Sequence, residues 1–203
     1  MNGWTIDTVN NFGIDTLGWA WTGSANPGPV IIAPNPAPNI ESPTASNGAA
    51  FVNFELMRFG ADGNNIPALP ADYGEYVGHL VSPTIDMSDV SGPMNLNYFQ
   101  LGRILNPADG FNDRCSVSFS ADDGVTWSAP VNAYPNWEIR DVYNGEQTLL
   151  VPSDIGLQGS PTVKVRFTYS QDFYYWMIDD ISIVERTEPV SYTHLTLPTI
   201  CSV

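Results

Sequence analysis

The chain has 203 residues, 43% of them hydrophobic and 12% aromatic, which suits one well-packed domain and excludes a disordered one. Its 22 acidic residues against 7 basic ones give a net charge of −15, and that balance argues against nucleic-acid binding and against anionic membranes. No run of about 18 apolar residues offers a membrane insertion, and Met1-Asn2-Gly3-Trp4 lacks the charged start and apolar core of a signal peptide.

The predicted elements are short. After an early "NGW" (Asn2 to Trp4), the Pro- and Gly-rich "GWAWTGSANPGPVIIAPNPAPNI" (Gly18 to Ile40) reads as a long loop. "NGAAFVNFELMRF" follows as a strand opened by the Asn47-Gly48 turn. Beyond the loop Gly60 to Glu75, "YVGHLVSPTIDMS" and "MNLNYFQLGRIL" read as strands separated by Ser91-Gly92-Pro93. "RCSVSFS" and "VTWSAPV" flank a tight turn, and "EQTLLVPS", "TVKVRFTYS" and "YYWMIDDISIVE" complete the set. In "TVKVRFTYS", Val163, Val165, Phe167 and Tyr169 alternate with polar residues, the pattern of a strand with one buried face. Amphipathic helical periodicity is hard to find. The expected fold is all-β, an antiparallel β-sandwich of jelly-roll type spanning residues 1–188.

The last segment, "VSYTHLTLPTICSV" (Val190 to Val203), has no acidic residue and carries one of the two His and one of the two Cys. It reads as the translation of a transposase-based sequencing adapter. Residues 189–203 are therefore treated as a non-native tail, outside fold reasoning. This leaves His79 and Cys115 in the remainder, and implies a parent polypeptide continuing past Glu188.

Two motifs carry chemistry. "SADDGVTW" follows Ser-x-Asp-x-Gly-x-Thr-Trp through Ser120, Asp122, Gly124, Thr126 and Trp127. Short Ser and Asp side chains can accept nearby backbone N–H groups, Gly tolerates positive φ, and Trp can pack beneath the turn. The expectation is a structural hairpin. In "YYWMIDDISIVE", strict alternation groups Asp179 with Met177, Ile181 and Ile183, and Asp180 with Trp176, Ile178 and Val184. Asp179 is then an inward carboxylate whose burial needs backbone donors, an arginine such as Arg166, or a divalent cation.

"SADDGVTW" resembles an Asp-box, the hairpin of sialidases and of many non-catalytic β domains. Together with "NGW", "SPTASNGAAF" (Ser42 to Phe51), "LVSPTIDMS" and the closing "IDDISIVE", it makes an ordered set similar to the MAM-like or cleaved-adhesin-like jelly rolls of secreted Bacteroidota proteins. The resemblance implies a secreted or cell-surface location and a place in a larger surface polypeptide. It implies a first strand missing before Gly3-Trp4. It also implies a structural Ca2+ held by Asp179, with Asp180 either adding a ligand or staying at the surface.

Catalysis finds little to work with. His79 lies within strand-like "YVGHLVSP" without a neighbouring acid, and Cys115 reads as a small buried strand residue. The expectation is a non-catalytic adhesion or carbohydrate-binding module with a glycan or cell-surface protein as partner. Trp21, Tyr73, Tyr76, Trp137 and Tyr143 are the aromatic candidates for ligand contact, whereas Trp4, Trp127 and Trp176 are assigned to packing. The alternative is an accessory or spacer domain of a secreted protease or glycosidase.

Overall fold

The computed structural model describes residues 3–10, 18–28, 37–55, 76–103, 115–133, 142–171 and 174–186. Among these residues, ten strands run in order: β1 (Thr5–Asn10), β2 (Ala20–Thr22), β3 (Ala49–Asn53), β4 (Tyr76–Val81), β5 (Met94–Arg103), β6 (Cys115–Ser120), β7 (Val131–Asn132), β8 (Val142–Leu150), β9 (Lys164–Gln171) and β10 (Tyr175–Glu185). They form two 5-stranded antiparallel sheets, ordered β1-β4-β9-β6-β7 and β2-β3-β10-β5-β8. From β3 onward the chain crosses between the sheets at each connection except the β6–β7 hairpin, which is the jelly-roll winding. No helix among the described residues is long and apolar enough to cross a membrane.

The faces follow the expected alternation over most of their length. Val163, Val165, Phe167 and Tyr169 of the β9 region are buried, and meet Tyr98 and Trp176 from the other sheet. The Phe167 ring lies 5.2 Å from Tyr98 and 5.9 Å from Trp176, both edge-on. Full burial of side chains of this size contributes about 1.5–3 kcal/mol each. The core also holds a satisfied polar relay: Trp176 Nε1 donates to Gln100 Oε1 at 2.8 Å, and Gln100 Nε2 donates to the Ala133 carbonyl at 2.9 Å. Since Ala133 follows β7, this relay ties the two sheets together.

Three expectations are corrected. Thr5–Asn10 and Ala20–Thr22 are strands, added at the edges beyond β4 and β3, where the sequence suggested no strand or a loop. Val125 to Trp127 are not strand; the hairpin closes by Ser128 N to the Phe119 carbonyl at 2.8 Å, and pairing resumes at Val131–Asn132. The third concerns β10, where strict alternation fails.

Candidate functional site

β10 is broken by a bulge. Its register against β5 runs Asp179↔Phe99 and then Ser182↔Asn97, so Asp180 and Ile181 together face Tyr98. Asp180 takes φ 48°, a left-handed conformation that Asp adopts more readily than most residues. The extra residue shifts the phase. Trp176 and Ile178 point into the sandwich before the bulge, and Ile181 and Ile183 do so after it. Asp179 therefore does not share a face with Ile181 and Ile183. It lies with Tyr175 and Met177 on the outer face of the sheet.

That outer face is covered by residues 37–48, a strap that adds a second small core of Ala37, Ile40, Ala49, Leu101, Tyr175 and Met177. Asn26 Nδ2 donates to the Ala37 carbonyl at 2.8 Å, and Asn144 Nδ2 donates to the Asn39 carbonyl at 2.7 Å. Asp179 is 8% exposed beneath the strap. Ser42 Oγ donates to its Oδ2 at 2.5 Å, and Thr44 Oγ1 approaches the same oxygen at 3.4 Å. Thr44 Oγ1 donates to Asp180 Oδ1 at 2.6 Å, while its backbone N–H reaches Asp180 Oδ2 at 3.2 Å. The carboxylates are thus held by hydroxyls and one amide. Arg166 is not among their partners. It belongs to the other sheet, with its guanidinium 4.3 Å from the Trp127 ring centre.

The bulge borders a cleft of ≈ 430 Å³ between the sheets, lined by Trp4, Trp21, Leu80, Ile178 and the Asp179–Ile181 segment. Trp21 sits opposite Ala50 on strand β2, facing inward; with no strand beyond it among the described residues, 47% of the residue is exposed. Trp19, two residues earlier on the same face, is buried against Trp176 at 5.4 Å between rings. Trp4 packs on Phe167 at 6.2 Å and also lines the cleft, so its assignment to packing alone is incomplete.

The remaining candidates scatter. Tyr76 is fully buried, so it contacts core rather than ligand, and burial pushes its hydroxyl up to about 12. Its ring lies across Gly78, where a Cβ would collide with the phenol oxygen. Tyr143 is half-buried and donates to the Glu146 carbonyl at 2.8 Å, on edge strand β8, away from the cleft. Tyr73 and Trp137 lie outside the described residues. His79 is buried, with Nδ1 2.9 Å from Thr168 Oγ1; burial, then Arg166, lower its pKa, and Asp7 opposes them. Cys115 is buried in the core.

At the turn Ser120 to Trp127, Ser120 Oγ accepts from Gly124 N at 2.8 Å. Asp122 Oδ1 accepts from Thr126 N at 2.8 Å, and Asp122 Oδ2 accepts the Thr126 hydroxyl at 2.6 Å. The Thr126 bonds first, and then the Ser120 hydroxyl donating to Asp122 Oδ1 at 2.7 Å, hold Asp122 at about 2. Gly124 has φ 88°, and the adjacent Asp123 pairs with Lys164 at 3.0 Å.

Calcium prefers hard oxygen ligands, and Asp179, Asp180, Ser42 and Thr44 offer only oxygens. No group of three or more His, Cys, Asp or Glu converges among the described residues, so this cluster supplies part of the six to eight oxygens that calcium takes. Sequence reasoning missed Trp4, Ser42 and Thr44 as members of the site. The Trp19/Trp21 alternation was the one available signal; nothing local linked Ser42 or Thr44 to Asp179.

No protein-family model matches this chain, and no curated protein is similar to it in sequence. Among solved structures, the K1 cleaved adhesin domain of Lys-gingipain from Porphyromonas gingivalis W83 shares 17% identity at a TM-score of 0.44, covering 91% of this chain and 92% of that one. The K3 cleaved adhesin domain of the same protein shares 15% identity at 0.44, covering 90% and 91%. The carbohydrate-binding module TmCBM61, solved with β-1,4-galactotriose, shares 9% identity at 0.43, covering 90% and 88%. At such scores and identities these likenesses carry no weight on function.

Proposed function

We propose that the chain is a non-catalytic module of an extracellular surface protein that binds neutral oligosaccharides in the Trp4–Trp21 cleft, serving adhesion or carbohydrate recognition. One observation carries this reading: a half-exposed indole on an edge strand faces a cleft lined by Trp4 and by the bulged Asp179–Ile181 segment. A sugar ring presents an apolar C–H face and a hydroxyl edge, which match an indole and the polar backbone of the bulged segment respectively. Among the described residues, the lining contains Asp179 and Asp180 but no Lys or Arg, which disfavours uronic, sulfated or sialylated glycans.

The carboxylates do not suit glycoside hydrolysis. Asp179 and Asp180 hang on the same Thr44 hydroxyl, on one side of any ligand, whereas hydrolysis needs two carboxyl groups flanking the scissile bond. A structural Ca2+ at Asp179 and Asp180 belongs to this proposal, its role being to fix the bulge that borders the cleft. Melting with excess calcium and with chelator tests it: an upward shift lost in Asp179→Ala supports the ion, and identical curves remove it.

The binding test is a screen of neutral and anionic oligosaccharides against the chain and Trp21→Ala. Neutral binders lost in Trp21→Ala, with an unchanged melting temperature, are expected. Binding unaffected by Trp21→Ala, or confined to anionic sugars, would overturn the assignment.

A further inference from the structure

Next to the cleft, β10 has an edge that is open among the described residues. β3 accompanies it only from Tyr175 to Ile178, while β5 follows on the other side as far as Glu185. Among the described residues, no strand pairs with the β3 side of Ile181–Glu185. β3 stops here because the chain reaches the sheet through a 3-10 turn, Ala45–Asn47, and Gly48, whose φ of 96° and closeness to the Thr22 carbonyl exclude other residues. Each backbone group on an open edge is a donor or acceptor waiting for a partner strand.

Beneath this edge a second cleft of ≈ 250 Å³ separates the sheets, floored by Trp4, Ile85, Met87, Val90 and Met94. Ile181 and Ile183 line it from β10. Among the described residues, the charged ones in its lining are Asp86 and Glu185, both acidic. An open ladder above an apolar slot is what strand addition uses: main-chain bonds supply affinity and alternate side chains fill the slot.

We infer that Ile181–Glu185 is a strand-addition site for an extended peptide of another protein, apolar at alternate positions and flanked by Lys or Arg. The acidic rim selects the basic flanks. A second copy of this chain, at net charge −15, would bring the same sign of charge to that rim. This inference goes beyond the glycan reading, since Trp21 lines the first cleft and not the second.

The test uses the full chain and a synthetic peptide of about seven residues, alternating valine and threonine between terminal lysines. Calorimetry should show binding, and hydrogen exchange should slow at the amides of Ile181–Glu185. Two versions N-methylated on alternate amides keep the side chains and charges. One of the two, with its bonding amides blocked, should bind about tenfold weaker or worse. Asp86→Lys with Glu185→Lys should weaken binding, and Trp21→Ala should leave it unchanged, so failure here is separable from failure of the glycan reading. Equal binding of both methylated versions, protection confined to the β1 edge, or no binding at all would overturn the inference. Dimers of the chain alone that protect the same amides would do so too, in favour of self-pairing.

Discussion

Two acidic corners of this molecule face the same physical problem and meet it at opposite ranges. Each puts an aspartate at positive φ, Asp123 at 58° and Asp180 at 48°. Each also fixes a carboxylate with a threonine hydroxyl, Thr126 on Asp122 and Thr44 on Asp180, both at 2.6 Å. In the first corner donor and acceptor are 4 residues apart; in the second they are 136 apart. The near corner can form within its own hairpin. The far one forms only after the strap has closed over β10, and it therefore reports on the assembled sandwich.

The largest effect is expected from Asp179→Ala. It removes the acceptor of the buried Ser42 hydroxyl and loosens the strap, with an expected loss of about 2–3 kcal/mol in urea unfolding. A loss below about 0.5 kcal/mol would show that the strap is held by its apolar residues alone.

Asp180 separates backbone from side chain. Asp180→Val should cost about 1–2 kcal/mol, because a β-branched residue resists positive φ. Asp180→Gly should cost only a few tenths, since relieved strain offsets the lost Thr44 bonds. Equal losses for Val and Gly would mean that the hydrogen bonds outweigh the backbone.

Thr44→Val should cost about 0.5–1 kcal/mol and speed amide exchange in residues 41–44. Thr126→Val should leave exchange in the strap untouched, because its bonds stay inside the hairpin. Faster strap exchange in Thr126→Val would join the two corners into one unit.

The smallest effect is expected from acid at Asp122. Its folded pKa, about 2, lies below the ordinary 3.8, so the folded state binds this proton less readily than the unfolded chain. Its contribution is therefore complete above the unfolded value and fades as pH falls through the folded one. Amide shifts of Thr126 followed by NMR between about pH 5 and pH 2 should move last, near the lower end. A midpoint near 4 would mean the turn holds its carboxylate no better than water does.

Local chemistry settled a good deal here. The alternation in Val163–Tyr169, the Gly-, Asn- and Pro-marked turns and the scarcity of helical periodicity led to a two-sheet antiparallel sandwich, as found. The Ser120–Trp127 turn could be read directly, because its donors and acceptors lie within a few residues of one another. Asp179 could be recognised as buried from its apolar neighbours, but not the face on which it is buried. A bulge adds one residue without leaving a distinctive local pattern when the residue at positive φ is Asp rather than Gly, so strict alternation carried past Asp180 onto the wrong face. The strap that supplies Ser42 and Thr44, the pairing of Trp4 with Trp21 around one cleft, and the open edge at Ile181–Glu185 arise where segments up to 137 residues apart are brought together. Periodicity and turn chemistry are short-range and act within a strand or hairpin. A binding surface at the lip of a sandwich depends on where sheets meet and where pairing stops, and that is set by long-range closure rather than by any local segment.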